Sequence, residues 1–566
     1  MKQLLYIFFF CTALSCYAQN FHLKIKGIND RETKTIDSLN YSIKHTNIKS
    51  LYNEINTTSE KLSKKGYLDN KILETNKIND STYIALLTLK SRIKYIHIYI
   101  GINNPFFEST ETKKDTVILP YEETENYLNQ KIIDAEKQGF ALSKIKLENI
   151  RRKNLIIFAS LNFKSEKKRE VNSIILNYTN NKDESNFPKG HLKQLNKKYL
   201  HKTFNQETIK QLYDQINSYE FVSQTKYPEI LFTNDSTKIY VYLEKRKANT
   251  FDGYIGFSND EEKKVNLNGY LDISLSNILH AGEQFSLYWK SDGNQQKTFN
   301  TALEIPYIFK SSLGLKAQLN IFKQDSTFQN TKTTIDLGYY INYNSKIYLG
   351  YQATESSDIQ NTNNSIISDF KNSYITSSYE FKKTDDLNNI TPKKANLNWI
   401  IGYGKRITNN DPETAGSSQQ FYTNINASYN FELNEKNFIN INSQNFYLNS
   451  KNYISNELFR FGGMNSIRGF LENSLQSNFN SLILTEYRYK FSKNMYINTI
   501  ADYGLYQDLT STINPNQIKK LIGFGFGCVL KTANGILKIN LTNGSSNLQE
   551  MQLYNTIINI CYNVKF

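Results

Sequence analysis

Thr556-Ile557-Ile558-Asn559-Ile560-Cys561-Tyr562-Asn563-Val564-Lys565-Phe566 is the last stretch of the sequence. Counted back from Phe566, alternate positions read Phe566, Val564, Tyr562, Ile560 and Ile558 on one side and Lys565, Asn563, Cys561 and Asn559 on the other. A period of two puts the first set on one face of a β-strand and the second on the opposite face. An apolar face backed by a polar one suits a strand with lipid on one side and a wet lumen on the other.

Working back from there, sixteen alternating segments of this kind occur: 251–257, 264–276, 283–291, 297–309, 311–323, 330–342, 346–356, 368–382, 395–405, 420–433, 437–448, 480–491, 494–506, 519–530, 535–543 and 555–566. About ten residues tilted at ~45° cross the hydrocarbon layer. If the first strand leaves the periplasm, every even-to-odd connection should be a short turn. Ala281-Gly282, Asn344-Ser345, Asn434-Glu435-Lys436, Ser492-Lys493 and Thr532-Ala533-Asn534 fit that rule. The odd-to-even connections 357–367, 406–419, 449–479, 507–518 and 544–554 are long, as external loops are. The connection 383–394 is long where a short one is expected. The pattern predicts a 16-stranded antiparallel transmembrane β-barrel over 250–566; a β-sandwich, the alternative architecture, would not impose this loop parity.

Composition agrees. The chain has 566 residues, 68 Lys+Arg against 53 Asp+Glu for a net charge of +15, and only 39% apolar residues. Yet 40 Tyr, 34 Phe and 2 Trp are too many aromatics for a disordered chain. Past the N-terminus no apolar run reaches the roughly 18 residues of a membrane helix. The lysines are spread along the sequence, so the charge reads as a solvated basic surface and no nucleic-acid partner is expected. Met1 to Ala18 places Lys2 before an apolar core, Leu4 to Leu14, and ends Cys16-Tyr17-Ala18, the layout of a secretory signal cut before Gln19. Cleavage and lipidation at Cys16 is the alternative, poorly matched by Ala13-Leu14-Ser15. The remaining cysteines, Cys528 and Cys561, make no disulfide framework. His22, His45, His97, His191, His201 and His280 have no ligand spacing, so neither metal nor cofactor is expected.

Between Phe21 and Lys247 a different pattern repeats at about 75 residues: a short strand, helical periodicity, an aromatic turn and two strands. The first unit has strand Phe21 to Ile28, helix Leu51 to Lys65 ending at Gly66-Tyr67, and strands 71–77 and 82–89. The second has strand 93–100, a missing or irregular first helix, helix 121–137, Gly139-Phe140, and strands 141–147 and 155–163. The third has strand 171–178, helices 191–198 and 206–218, the turn Tyr219-Glu220-Phe221, and strands 222–231 and 238–245. The division expected is a signal peptide at 1–18, units at 19–91, 92–166 and 167–249, and the barrel from 250. The unit resembles the POTRA domain, the periplasmic polypeptide-binding module of the BamA/TamA-like outer-membrane insertases and their two-partner-secretion relatives. An extended client can add to such a unit as another strand; the plainer alternative is a spacer.

The longest external loop carries Phe459-Arg460-Phe461-Gly462-Gly463-Met464-Asn465-Ser466-Ile467-Arg468-Gly469-Phe470. Gly462, Gly463, Ile467, Arg468, Gly469 and Phe470 resemble the Gly-Gly and V-R-G-F/Y motif of the BamA/TamA-like superfamily, in the loop between strands eleven and twelve where that family carries it. Leu484-Thr485-Glu486-Tyr487-Arg488, Ile500-Ala501-Asp502-Tyr503-Gly504 and the glycines from Gly523 follow in register with family patterns. Strand parity puts Glu486 and Asp502 on the lumenal face of neighbouring strands, where two anions repel unless a cation lies between them. Arg468 can supply it. The competing reading leaves Arg468 as a surface arginine and gives the carboxylates to Arg488 or Lys490. Gly523, Gly525 and Gly527 on one inward face leave room for an inserted loop.

No nucleophile with a base and no phosphate loop is recognisable, so no enzyme is expected. The resemblance implies an outer-membrane assembly or translocation factor with periplasmic N-terminal domains. Its expected partners are unfolded outer-membrane or secreted clients, outer-membrane lipid and accessory periplasmic or inner-membrane subunits. Its expected seam joins the first and last strands, at Phe251, Gly253, Gly256 and Phe566. A two-partner-type secretion pore for one exported protein is the alternative, and a passive porin or adhesin the third.

Overall fold

A computed structural model describes residues 20–101, 115–179, 187–259, 265–292, 296–360, 367–384, 390–391, 394–408, 417–512, 514–533, 535–546, 551–552 and 555–565. The expected signal peptide lies outside these residues. The chain divides into two compact units, 1–170 with 203–207, and 171–202 with 208–566.

The first unit contains two four-stranded α/β sheets. In the first sheet, β1 (Phe21–Gly27), α1 (Asp30–Asp37), β2 (Lys44–His45), α2 (Ile48–Lys64), β3 (Lys71–Lys77) and β4 (Thr82–Thr88) give the order β2-β1-β4-β3, with β1 and β4 parallel. Helix α2 buries Leu51, Ile55 and Leu62 against Leu23, Ile25, Ala85 and Leu87 of the sheet. The side chain of Asn47 caps its start by accepting from the Ser50 N–H. Helix α1 was not legible in the sequence: it is eight residues long and buries only Ile36, too little to show a period. The second sheet repeats the plan with β5 (Tyr95–Tyr99), β6 (Thr116–Pro120), α3 (Thr124–Lys137), β7 (Lys144–Lys153) and β8 (Ile156–Lys164), in the order β6-β5-β8-β7. Strand β6 is additional to the sequence reading, and residues 102–114, between β5 and β6, lie outside the described residues.

The second unit opens with a third α/β module, β9 (Ser173–Tyr178), α4 (Lys189–Tyr199), α5 (Gln206–Asn217), β10 (Val222–Gln224), β11 (Glu229–Phe232) and β12 (Thr237–Lys245). β12 pairs parallel to β9 and antiparallel to β10 and β11. The single strand expected over 222–231 is therefore two; Pro228 in the break has no N–H to give a ladder.

The remainder is a closed barrel. Its strands are β13 (Thr250–Asn259), β14 (Val265–Ser276), β15 (Gln284–Asp292), β16 (Gln296–Ile305), β17 (Leu313–Gln324), β18 (Phe328–Asn342), β19 (Ser345–Asp358), β20 (Phe370–Thr384), β21 (Lys394–Thr408), β22 (Ser417–Glu432), β23 (Asn437–Asn449), β26 (Phe479–Ser492), β27 (Met495–Gln507), β28 (Lys519–Lys531), β29 (Gly535–Ser546) and β30 (Ile557–Lys565). Two short strands, β24 (Phe459–Phe461) and β25 (Leu475–Ser477), form a separate hairpin inside the long loop. All sixteen barrel strands pair antiparallel with their sequence neighbours, so the expected fold class is what the chain adopts. β16 stops at Ile305 rather than running to 309, because Tyr307, Phe309 and Lys310 take left-handed φ of 54°, 54° and 55° and turn the chain. The anomalous connection between β20 and β21 has a use for its length. Its Ile390 is buried against Tyr496, Val529 and Ile536 of β27, β28 and β29.

Outward side chains such as Ile375, Phe526, Ile558 and Ile560 are 63–69% exposed although the protein is folded. Water would not tolerate an apolar belt of that kind around a barrel wall, whereas lipid covers it. The barrel therefore spans an outer membrane, with the short-turn end and the N-terminal α/β modules on the periplasmic side.

Candidate functional site

Arg468 reaches the inner wall of the barrel from the loop between β23 and β26, and its side chain is 6% exposed. Nε donates to Asp502 Oδ2 at 2.8 Å, Nη2 to Asp502 Oδ1 at 2.5 Å, and the Arg468 backbone N–H to Oδ2 at 3.0 Å. Nη1 donates to Glu486. Asp502 is fully enclosed and takes one further bond, from the Thr485 N–H at 3.2 Å. Glu486 is shared, since Arg488 Nε also reaches it at 2.8 Å. Two anions thus meet two guanidiniums, and the two proposed sources of neutralising charge, Arg468 and Arg488, both contribute. Among the described residues, Arg468 alone supplies Asp502 with a cation.

An apolar cluster sits beneath the ion pairs. Ile467, Phe470 and Phe461 of the loop pack on Leu482, Leu484, Tyr506 and Leu521 of the wall. Strict apolar-out, polar-in alternation breaks here because the wall meets protein instead of water. The glycines serve close approach. Gly469 has φ of 87°, and a Cβ on it would stand 2.3 Å from the Asn543 carbonyl carbon. A Cβ on Gly523 would stand 2.3 Å from the Arg468 oxygen, so this inward glycine does make room for the loop. Gly525 and Gly527 instead face Leu541, Thr542, Asn540 and Asn498 of adjoining strands. Gly462 and Gly463 also have left-handed φ, 108° and 100°, where the loop leaves β24.

The same loop is held a second time, by residues that sequence reading passed over. Glu457 is 3% exposed, pairs with Arg406 of β21, and accepts from Gln420 Nε2 of β22 at 2.8 Å. Asn456 donates to the Ser356 hydroxyl and the Ser368 carbonyl, both at 2.8 Å, and its own carbonyl accepts from Asn330 at 2.6 Å. These partners lie on or beside β18, β19, β20, β21 and β22, away from β26 and β27. The loop is thus tied to two stretches of the wall. Strand parity speaks only of strands, so nothing in the sequence marked Asn456 or Glu457.

At the seam, β13 and β30 pair only at Thr250↔Lys565 and Phe251↔Val564 among the described residues. On their other edges β13 matches β14 at ten positions and β30 matches β29 at eight. Gly253 and Gly256 fall in the part of β13 that makes no rung with β30. Phe566 lies outside the described residues. Lumenal side chains reach across the gap: the Cys561 thiol donates to Asp252 Oδ2 at 2.8 Å, while the Tyr270 hydroxyl holds Oδ1 at 2.7 Å.

The third α/β module grips the periplasmic rim through His191 of α4, which is wholly buried. Its ring lies 4.7 Å from Tyr307, 5.2 Å from Tyr219 and 5.3 Å from Phe221, and among the described residues neither ring nitrogen has a hydrogen-bond partner. Beside it Glu220 pairs with Lys382 at 2.5 Å. Burial, with Lys346 adding to it, pushes the His191 imidazole down from 6.5 to about 3. A base with a lowered folded pKa is neutral when docked. The joint is at full strength above pH 6.5 and weakens as pH falls from 6.5 toward 3. Amide exchange of Lys189–Tyr199, corrected for intrinsic rates, should accelerate over that window in the native chain and change little in His191→Phe. Equal acceleration in both would remove His191 from the explanation.

No protein-family model and no curated protein matches the chain. Among solved structures, CdiB from Acinetobacter baumannii aligns with a TM-score of 0.50 at 15% identity over 80% of this chain and 83% of its own. The chain shares the fold of CdiB. CdiB from Escherichia coli aligns at 0.49 and 12% identity over 90% of this chain and 97% of its own. BamA from Haemophilus ducreyi, lacking POTRA domains 1–3, aligns at 0.44 and 15% identity over 80% and 95%.

Proposed function

We propose that the chain is an outer-membrane insertase or translocase of the BamA/TamA-like superfamily: POTRA-like modules receive unfolded clients and the barrel inserts them at the β13–β30 seam. The two-rung seam carries this reading. An edge left without a ladder offers backbone groups that an incoming strand can pair with inside the membrane. Wall height supports the same site. β13, β15, β16 and β30 have 9–10 residues, whereas β18, β20, β21 and β22 have 15–16. At ~3.4 Å per residue and ~45° tilt that is roughly 20 Å against roughly 35 Å, so lipid beside the seam must thin. In this reading Arg468, Glu486 and Asp502 form a lock that keeps the loop docked while the seam works.

Phe251→Cys with Val564→Cys, in a chain whose Cys528 and Cys561 are serine, should cross-link the seam on oxidation and stop client insertion, with recovery on reduction. Undiminished insertion by the oxidised protein would rule out the seam. The alternative is a secretion pore for one dedicated protein. The loop tied across the lumen and the buried Ile390 speak against a wide route there. Depletion separates them: loss of many outer-membrane barrels indicates an insertase, loss of a few an accessory factor, and loss of one secreted protein the pore.

A further inference from the structure

Two neighbouring periplasmic turns, β14–β15 and β16–β17, carry bare apolar side chains at their tips. Ile278 and Leu279 of the first are 48% and 74% exposed, and Phe309 of the second is 93% exposed. Both turns are held stiffly. In the first, the Glu283 carboxylate accepts from the Leu279 and Ala281 N–H groups at 2.6 and 3.1 Å, and Asn277 Oδ1 accepts from the Gly282 N–H at 2.9 Å. In the second, Tyr307, Phe309 and Lys310 keep left-handed φ, which bulky residues hold only where contacts enforce it. Helix α4 supplies such contacts. Tyr307 is buried against His191, and the Lys310 carbonyl accepts from Gln194 Nε2 at 3.1 Å. A Cβ on Gly282 would stand 2.1 Å from His191 Cε1, so the same imidazole braces the first turn. The third module thus grips both turns through Gly282 and Tyr307 and leaves Ile278, Leu279 and Phe309 uncovered.

The lipid-facing wall leads directly to these tips. On that face Leu275, Phe285, Leu303 and Ala317 lie side by side on β14 to β17, and Ile305 and Leu315 pair one row lower. Glu304, between Leu303 and Ile305, has the opposite parity and bonds Tyr340 and Tyr348 inside the barrel. The apolar outer surface therefore continues past the last rungs into the turns. Apolar side chains at a bilayer edge gain by leaving water for the interfacial layer, and Lys310 and His280 beside them can keep their polar ends among the headgroups. An anchor matters most on this side, because β15 and β16 are short and the lipid against them is mismatched. We propose that Ile278, Leu279 and Phe309 insert among the acyl chains of the periplasmic leaflet and anchor the short side of the wall to the membrane. Such anchoring needs only the barrel's place in the membrane and holds whatever its clients are.

The test uses the full-length protein in phospholipid nanodiscs, with Cys528 and Cys561 changed to serine. Leu279→Cys, Phe309→Cys and Lys24→Cys, the last at an exposed strand position of the first module, each carry one environment-sensitive fluorophore. Heat-modifiable migration shows that each labelled variant is a folded barrel. At 279 and 309 the emission should shift to the blue, aqueous iodide should quench severalfold less than at 24, and lipids brominated on the acyl chain should quench strongly. Iodide quenching as strong at 279 and 309 as at 24 would put the tips in water and overturn the anchor. Shielding from iodide without quenching by brominated lipid would put a protein over the tips and overturn it equally.

Discussion

Arg468→Ala should yield a barrel whose loop no longer docks and which assembles poorly. Without the guanidinium, enclosed Asp502 keeps only backbone donors, at 3.0 and 3.2 Å. Glu486 suffers less, because Arg488 remains at 2.7 Å. Breaking a buried pair by removing one partner costs about 3–5 kcal/mol, or two to nearly four orders of magnitude in the docking equilibrium. The expected readout is loss of most of the SDS-resistant, heat-modifiable band from outer membranes. Asp502→Asn added to Arg468→Ala removes the stranded charge and should restore part of that band, a coupling that a double-mutant cycle measures. Wild-type band intensity and detergent resistance in Arg468→Ala would mean that the cation has no structural part to play.

Glu457→Ala should act on the other tether, with a comparable cost of about 3–5 kcal/mol because Arg406 is left charged and enclosed. The ion pairs at Arg468 persist, so the expected result is a folded barrel with a loosened loop entry. Lys451 and Arg460 flank Glu457, which makes external trypsin a direct reporter: cleavage between β23 and β26 should appear in the variant and not in the native protein. Replacing the whole pair, Arg406→Met with Glu457→Met, fills the same space without a buried charge and should regain much of the resistance. Native-like protection in Glu457→Ala would show that the second tether holds nothing.

Alternation made the barrel legible because each strand separates lipid from water, and the strand ends were recoverable to within a few residues. β16 is the instructive miss. Pro306 and the left-handed Tyr307 end it, yet Tyr307-Ile308-Phe309 alternates no worse than a strand. Parity also aimed Glu486 and Asp502 inward, where both now lie within hydrogen-bond reach of Arg468. It could not reveal Leu482, Leu484 and Leu521 as the loop's apolar seat, since inward leucines look like errors until something is known to cover them. Nor could it locate α1, β6 or the grip of His191 on Tyr307, which depend on partners more than a hundred residues away or on elements too short to show a period.

The twofold tethering of the loop also imposes a sequence of events on biogenesis. Asn456 bonds Ser356, 100 residues earlier, while Arg468 bonds Asp502, 34 residues later. Contacts so distant along the chain form late, after the local hairpins between them exist. A molecule lacking β27 would have Arg468 with no Asp502 to receive it, and its loop would stay open to proteases. Docking of that loop is therefore a built-in report that the wall has been completed through β27.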